Sequence, residues 1–162
     1  MKTYIHYGSK QFDKERFVPI QNCYPRNKPI GGLWASDVKA EYGWKQWCED
    51  NGFYCERNTE DNCFRFTLAE NAKILTLICT DDVKAMPLLG KTGACDYKPN
   101  FEEILSLGYD AIDFRLSEEI GEFGFDSLYW YLYGWDCDSY WYLYGWDCDS
   151  ILILNQDIII PI

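Results

Sequence analysis

Residues 129–139 read YWYLYGWDCDS, and residues 140–150 read the same eleven letters again without a mismatch. That length restricts what the segment can become. In a helix, eleven residues make three turns at 3.67 residues per turn, so the insertion nearly preserves the face. In a strand, an odd insertion exchanges the two faces. The YWYLY half suits a helix, which eleven residues would lengthen by about 16 Å. The GWDCDS half resists it, because Gly, Asp and Ser favour turns and caps.

Only the second copy directly precedes the apolar run ILIL at 151–154. Asp147, Asp149 and Ser150 are therefore expected at the entrance of a strand, with the first copy as a bulged loop or a longer helix. The alternative puts the first copy in that place and residues 140–144 in the strand, since aromatics have good β propensity. Two near-equivalent arrangements invite register shifts and a domain-swapped oligomer through the repeat.

The repeat also colours the composition. The chain has 162 residues, 18% of them aromatic, and the two copies hold four of the seven tryptophans and six of the thirteen tyrosines. The net charge is −11, and all 15 Lys and Arg lie in residues 1–115. Residues 116–162 carry nine acids and no base. Such a field repels phosphate, so nucleic acid is disfavoured as a partner, and an acidic face that docks on a basic protein is the alternative. So aromatic a chain is not a disordered acidic tail. No run of about 18 uncharged apolar residues suggests a membrane span. The length fits one domain, residues 1–162, able to bury about two-thirds of its extended surface.

Eight cysteines show no CxxC pair, and residues 1–7 do not read as a signal peptide. Reduced thiols in the cytoplasm are the expectation. With a single histidine, a zinc site is not expected.

Periodicity and breakers predict strands at 2–8, 31–36, 64–68, 72–79, 109–114 and 150–155, the last extended by 157–160. They predict helices from Ser36 or Asp37 to Cys48, from Asp81 or Asp82 to near Pro87, and over 101–107, with loops at 12–28 and 90–99. Residues 118–125 read as an acidic connection, followed by an aromatic segment. The expected class is α+β, a mixed sheet with a few short helices. Helices do not alternate regularly with strands, so a doubly wound fold is not expected.

Chemistry concentrates at three places. His6, the one histidine, sits in Tyr4-Ile5-His6-Tyr7-Gly8-Ser9, where Gly8 would let a ligand approach. It is either a hydrogen-bonded strand residue or a donor lining a cleft. Trp34 and Ser36 share a strand face by two-residue spacing, as a core aromatic and a cap or as a stacking surface and a hydroxyl donor. Asp147 and Asp149 would share a side if their segment is extended, either as a turn or as carboxylates facing a ribose or a developing positive centre.

The order of these elements resembles the ADP-ribosyltransferase superfamily: a strand with His-Tyr-Gly-Ser, a strand with Gly-Leu-Trp-Ala-Ser and a helix, then an acidic turn opening the last long strand. The resemblance implies a split mixed sheet with NAD bound as substrate between its halves. It assigns His6 and Asp149 to catalysis and His6, Tyr7, Gly8, Ser9, Trp34, Ser36 and Asp147 to NAD, with Asp138 the duplicate of Asp149. The acidic position is Asp where the family usually has Glu, one methylene longer. It further implies an NAD-dependent transferase of small bacterial or phage type, toxin-like in role, that modifies an unidentified macromolecular acceptor and is open to an inhibitory partner protein. With water as acceptor it would be an NAD glycohydrolase. Two other readings compete. One is a non-enzymatic acidic binding or inhibitor protein with no NAD affinity. The other is a chain in which the duplication was introduced deliberately, for which deleting residues 129–139 would leave fold and any activity intact or improved.

Overall fold

A computed structural model describes residues 2–24, 26–53, 55–90, 98–115 and 145–162. The first repeat copy, with Asp138, and residues 140–144 of the second lie outside the described residues, as does the predicted acidic connection.

The centre of the fold follows from the run Ser150-Ile151-Leu152-Ile153-Leu154. Strand β8 (Ser150–Ile153) sends Ile151 and Ile153 into one apolar cluster and Leu152 and Leu154 into another. A strand buried on both faces has no polar alternation, which is why its sequence is continuously apolar. β7 (Ala111–Phe114) divides likewise: Ala111 joins the first cluster, and Ile112 and Phe114 join the second.

Around them lies a seven-stranded mixed sheet in the order β4-β7-β8-β2-β1-β3-β9. The remaining strands are β1 (Tyr4–Tyr7), β2 (Leu33–Asp37), β3 (Cys63–Leu68), β4 (Ile74–Leu77) and β9 (Ile159–Pro161). Only β4 and β7 pair in parallel. A separate hairpin-like pair joins β5 (Leu88–Leu89) to β6 (Lys98–Pro99), the latter inside the stretch expected as loop. The α+β expectation holds, with nine strands among the described residues rather than six or seven.

Among the described residues three α-helices accompany the sheet: α1 (Trp44–Asn51), α2 (Thr80–Ala85) and α3 (Phe101–Ser106). The Asp82 carboxylate accepts from the backbone N–H groups of Ile78 and Cys79 at 2.9 and 3.1 Å, closing the start of α2. These bonds hold its pKa below the usual carboxylate value, the Ile78 N–H first. Asn100 caps α3 by accepting from Glu103 N at 3.2 Å.

The first helix corrects the sequence reading. It starts at Trp44, not at Ser36 or Asp37. The Asp37 carboxylate accepts from Lys39 N–H at 2.9 Å and makes a turn of the chain that was expected to be helical. Ser36 still serves the helix, but from across the fold: its Oγ accepts from Trp44 N–H at 3.0 Å. At the other end, Gly52 adopts φ +63° and closes α1 as expected.

The entry to β2 is fixed by contact. Gly31 has φ +77°, and a Cβ there would overlap the carbonyl oxygens of Val18 and Pro19. Two glycines therefore let the chain pass under residues 18–19 before Leu33 joins the sheet.

Candidate active site

The site forms where two neighbouring strands stop pairing. β1 and β2 share only two pairs, Tyr4↔Asp37 and Ile5↔Ser36. Continued register would set His6 against Ala35 and Tyr7 against Trp34. The ladder instead ends at Ile5↔Ser36: Leu33, Trp34 and Ala35 pair with β8, on the other edge of β2, and His6 and Tyr7 pair with β3. His6 bridges the gap: its Nδ1–H donates to the Trp34 carbonyl at 2.6 Å. A carbonyl only accepts, so this bond puts the proton on Nδ1 and leaves Nε2 as an acceptor.

The gap opens into a cavity of about 310 Å³, lined among others by His6, Tyr7, Trp34, Ser36, Trp44 and Asp147. That volume lies at the lower end for small-molecule sites. Trp34 stands edge-on to Trp146 with ring centroids 4.6 Å apart, and Trp146 is itself buried against Phe101 and Phe114. Trp44 stacks on Trp47 at 5.3 Å and donates its indole N–H to Asn58 Oδ1 at 3.2 Å. The walls are therefore flat, rigid and apolar, with a few polar groups between them.

Five of the residues singled out in the sequence meet here: His6, Tyr7, Trp34, Ser36 and Asp147. Three do not. Asp149 lines a separate, charged cavity with Lys2, Asp37, Asp113 and Arg115. Its backbone is fully engaged, N–H to Tyr42 O at 2.9 Å and C=O accepting from Ser36 Oγ at 3.0 Å. The expectation that Asp147 and Asp149 share a side is thus corrected: the chain from Gly145 is irregular until β8 begins, and the two residues line different cavities.

Gly8 and Ser9 line a third cavity of about 250 Å³, beside Arg16, Phe12 and Phe64. His6 lines both this cavity and the tryptophan cavity. Gly8 has φ +108°, and a Cβ there would meet nothing within 4 Å. Its glycine answers to backbone conformation rather than to a close approach. Ser9 Oγ donates to Gln11 O at 3.2 Å.

Ser36 is more committed than the sequence suggested. Its hydroxyl proton goes to Asp149 O and its oxygen accepts from Trp44 N–H, so it positions β8 and α1. Ser36 lines the cavity, but it does not start the helix as the cap read from the sequence would, and its hydroxyl proton is taken by Asp149 O.

Burial sets the protonation of the site. It lowers the His6 pKa below the ordinary 6.5, against the opposing Trp34 hydrogen bond, so the imidazole is neutral at pH 7. Burial pushes the Cys148 thiol up to about 12, so it is no thiolate nucleophile at neutral pH. Cys23, Cys63, Cys79 and Cys148 are free thiols. No group of three metal-ligating side chains occurs among the described residues. No helix among them is long and apolar enough to cross a membrane.

The His6 shift has a measurable consequence. As pH falls, the unfolded chain takes up its histidine proton before the folded one does. The stability that depends on neutral His6 is complete above about pH 6.5 and is lost as pH falls through the lower folded pKa. Each tenfold displacement of that equilibrium is worth about 1.4 kcal/mol. Thermal unfolding of wild type and His6→Gln should therefore converge as pH drops from 7 towards 5. Parallel melting curves across that window would exclude a buried neutral His6.

Sequence reasoning missed Lys28, Trp44, Trp146 and Cys148 in the cavity wall. Trp146 and Cys148 carried a signal, since they alternate with the two aspartates. Lys28 carried none, lying in a proline-bounded loop whose path only the fold defines.

No family model, curated protein or solved structure matches the chain. The chemistry of the site rests on its own geometry.

Proposed function

We propose that the chain is an NAD-consuming ADP-ribosyltransferase of the cytoplasm, acting on a macromolecular acceptor, and that its substrate lies across the gap between β1 and β2. The observation that carries this reading is the parting of those strands around His6, with Trp34 and Asp147 lining the same cavity. A dinucleotide has two flat ends joined by a charged linker, and His6 stands between two adjoining cavities. The nicotinamide end occupies the tryptophan cavity, where indole faces suit a flat ring. The adenosine end takes the Gly8–Ser9 cavity.

In this reading Asp147, rather than Asp149, is the acidic residue. Its carboxylate stabilises the positive charge that develops on the ribose as the bond from C1 to the nicotinamide nitrogen breaks. His6 Nε2 accepts a hydrogen bond from a ribose hydroxyl and orients the sugar. Nicotinamide leaves with the bonding electron pair, and an acceptor nucleophile attacks C1 and loses its proton. With water in that role the product is free ADP-ribose.

The test is nicotinamide release from NAD by wild type, His6→Ala and Asp147→Asn. Release that falls in both variants supports the assignment. Equal release by all three proteins removes the mechanism, and no release with no NAD binding by wild type favours the non-enzymatic acidic binding protein.

A further inference from the structure

A net charge of −11 repels an anionic ligand at long range, and Asp147 adds a carboxylate to the cavity wall. A phosphate-bearing ligand therefore needs a local cation. The tryptophan cavity has one among its described lining residues, Lys28. Its ammonium lies 5.2 Å from the centroid of the Trp34 ring. No carboxylate among the described residues lies within ion-pair distance of it.

Several features hold Lys28 in place. Trp146 Nε1 donates to the carbonyl of Asn27, the preceding residue, at 3.4 Å. Pro29 follows it and restricts the backbone. The side chain runs along Gly145, where a Cβ would come within 3.5 Å of Lys28 Cε. Lys28 and Cys148 line the same cavity, close enough for the lysine charge to oppose the burial-driven rise of the thiol pKa. The indole face holds it without neutralising it. A lysine so placed acts as a point charge for phosphate rather than as a structural ion pair.

We propose that Lys28 is the specificity-determining residue for the diphosphate of the ligand, so that the site selects a phosphate-bearing dinucleotide over the corresponding nucleoside. This rests on the reading of the cavity as an NAD site. The neighbouring Gly8–Ser9 cavity has its own cation, Arg16, which supplies the internal comparison.

Binding of NAD and of nicotinamide riboside, which lacks phosphate, is followed by quenching of tryptophan fluorescence. The proteins are wild type, Lys28→Met, Lys28→Arg and Arg16→Met. Methionine keeps an apolar stem against Trp34, and matched melting curves establish folding. Lys28→Met is expected to weaken NAD binding at least about tenfold and leave the riboside unchanged. It should also flatten the salt dependence of NAD binding, while Lys28→Arg retains much of that dependence. Where riboside binding is too weak to follow, the salt slope decides. Unchanged NAD affinity in Lys28→Met, an equal loss for both ligands, or a larger loss in Arg16→Met overturns the role of Lys28 alone. Wild type that does not bind NAD overturns the site reading and this role with it.

Discussion

Asp147→Asn should lower nicotinamide release from NAD by about 100- to 1,000-fold, the scale seen when one group facing developing charge is removed. The substitution keeps the shape of the side chain and removes its charge. Asp149→Asn should leave the rate of the order of wild type, because Asp149 lines the other cavity, with Lys2, Asp113 and Arg115. In that cavity the Arg115 guanidinium holds Asp113 at 2.7 Å and Lys2 reaches it at 3.4 Å. Asp136→Asn, the equivalent of Asp147 in the first repeat copy, should leave the rate unchanged, since the second copy enters β8. Steady-state rates at saturating NAD read all three. If Asp149→Asn shows the large loss and Asp147→Asn does not, the carboxylate assignment fails.

Trp146→Ala should cost about 3–5 kcal/mol of folding stability. Trp146 is 1% exposed. It packs edge-on against Trp34 and Phe114 and parallel to Phe101, so it joins the sheet, α3 and the cavity wall. Alanine leaves a void that three aromatic neighbours cannot close without moving. A loss of that size is a large share of the roughly 5–15 kcal/mol that ordinarily holds a domain together. Trp146→Phe should cost less, losing the indole hydrogen bond to Asn27 but keeping a ring in the core. Urea midpoints at constant slope give the comparison. An unchanged midpoint in Trp146→Ala would mean that this ring does not tie the core to the cavity.

Short-range signals made much of the fold legible. The ILIL run announced an apolar strand, which the fold buries on both faces, and the Phe64–Leu68 alternation announced β3. Gly108 after Leu107 marked the end of α3, where it has φ +84°, while the Asn100 cap at the start is seen only in the structure. The start of α1 was not legible, because Asp37 as a helix cap and Asp37 as a turn residue look alike in sequence. The bond that settles it joins Ser36 to Trp44 through space.

By itself, the sequence determined the α+β class, the strand that opens at Ser150 and the candidates His6, Trp34, Asp147 and Asp149, because alternation, capping and residue chemistry act over a few positions. It also determined that GWDCDS of the second copy leads into ILIL, since chain connectivity allows no other neighbour. The tertiary structure alone decided where β1 and β2 part: β2 lies between β8 and β1, and its ladder with β1 stops after Ile5↔Ser36 while the ladder with β8 runs through Leu33, Trp34 and Ala35. That choice placed His6 across the gap, put Asp147 and Asp149 on different cavities, and brought Lys28 from a distant loop onto Trp34. Which carboxylate and which cation face the cavity is a matter of packing between segments far apart in the chain, and no local pattern encodes it.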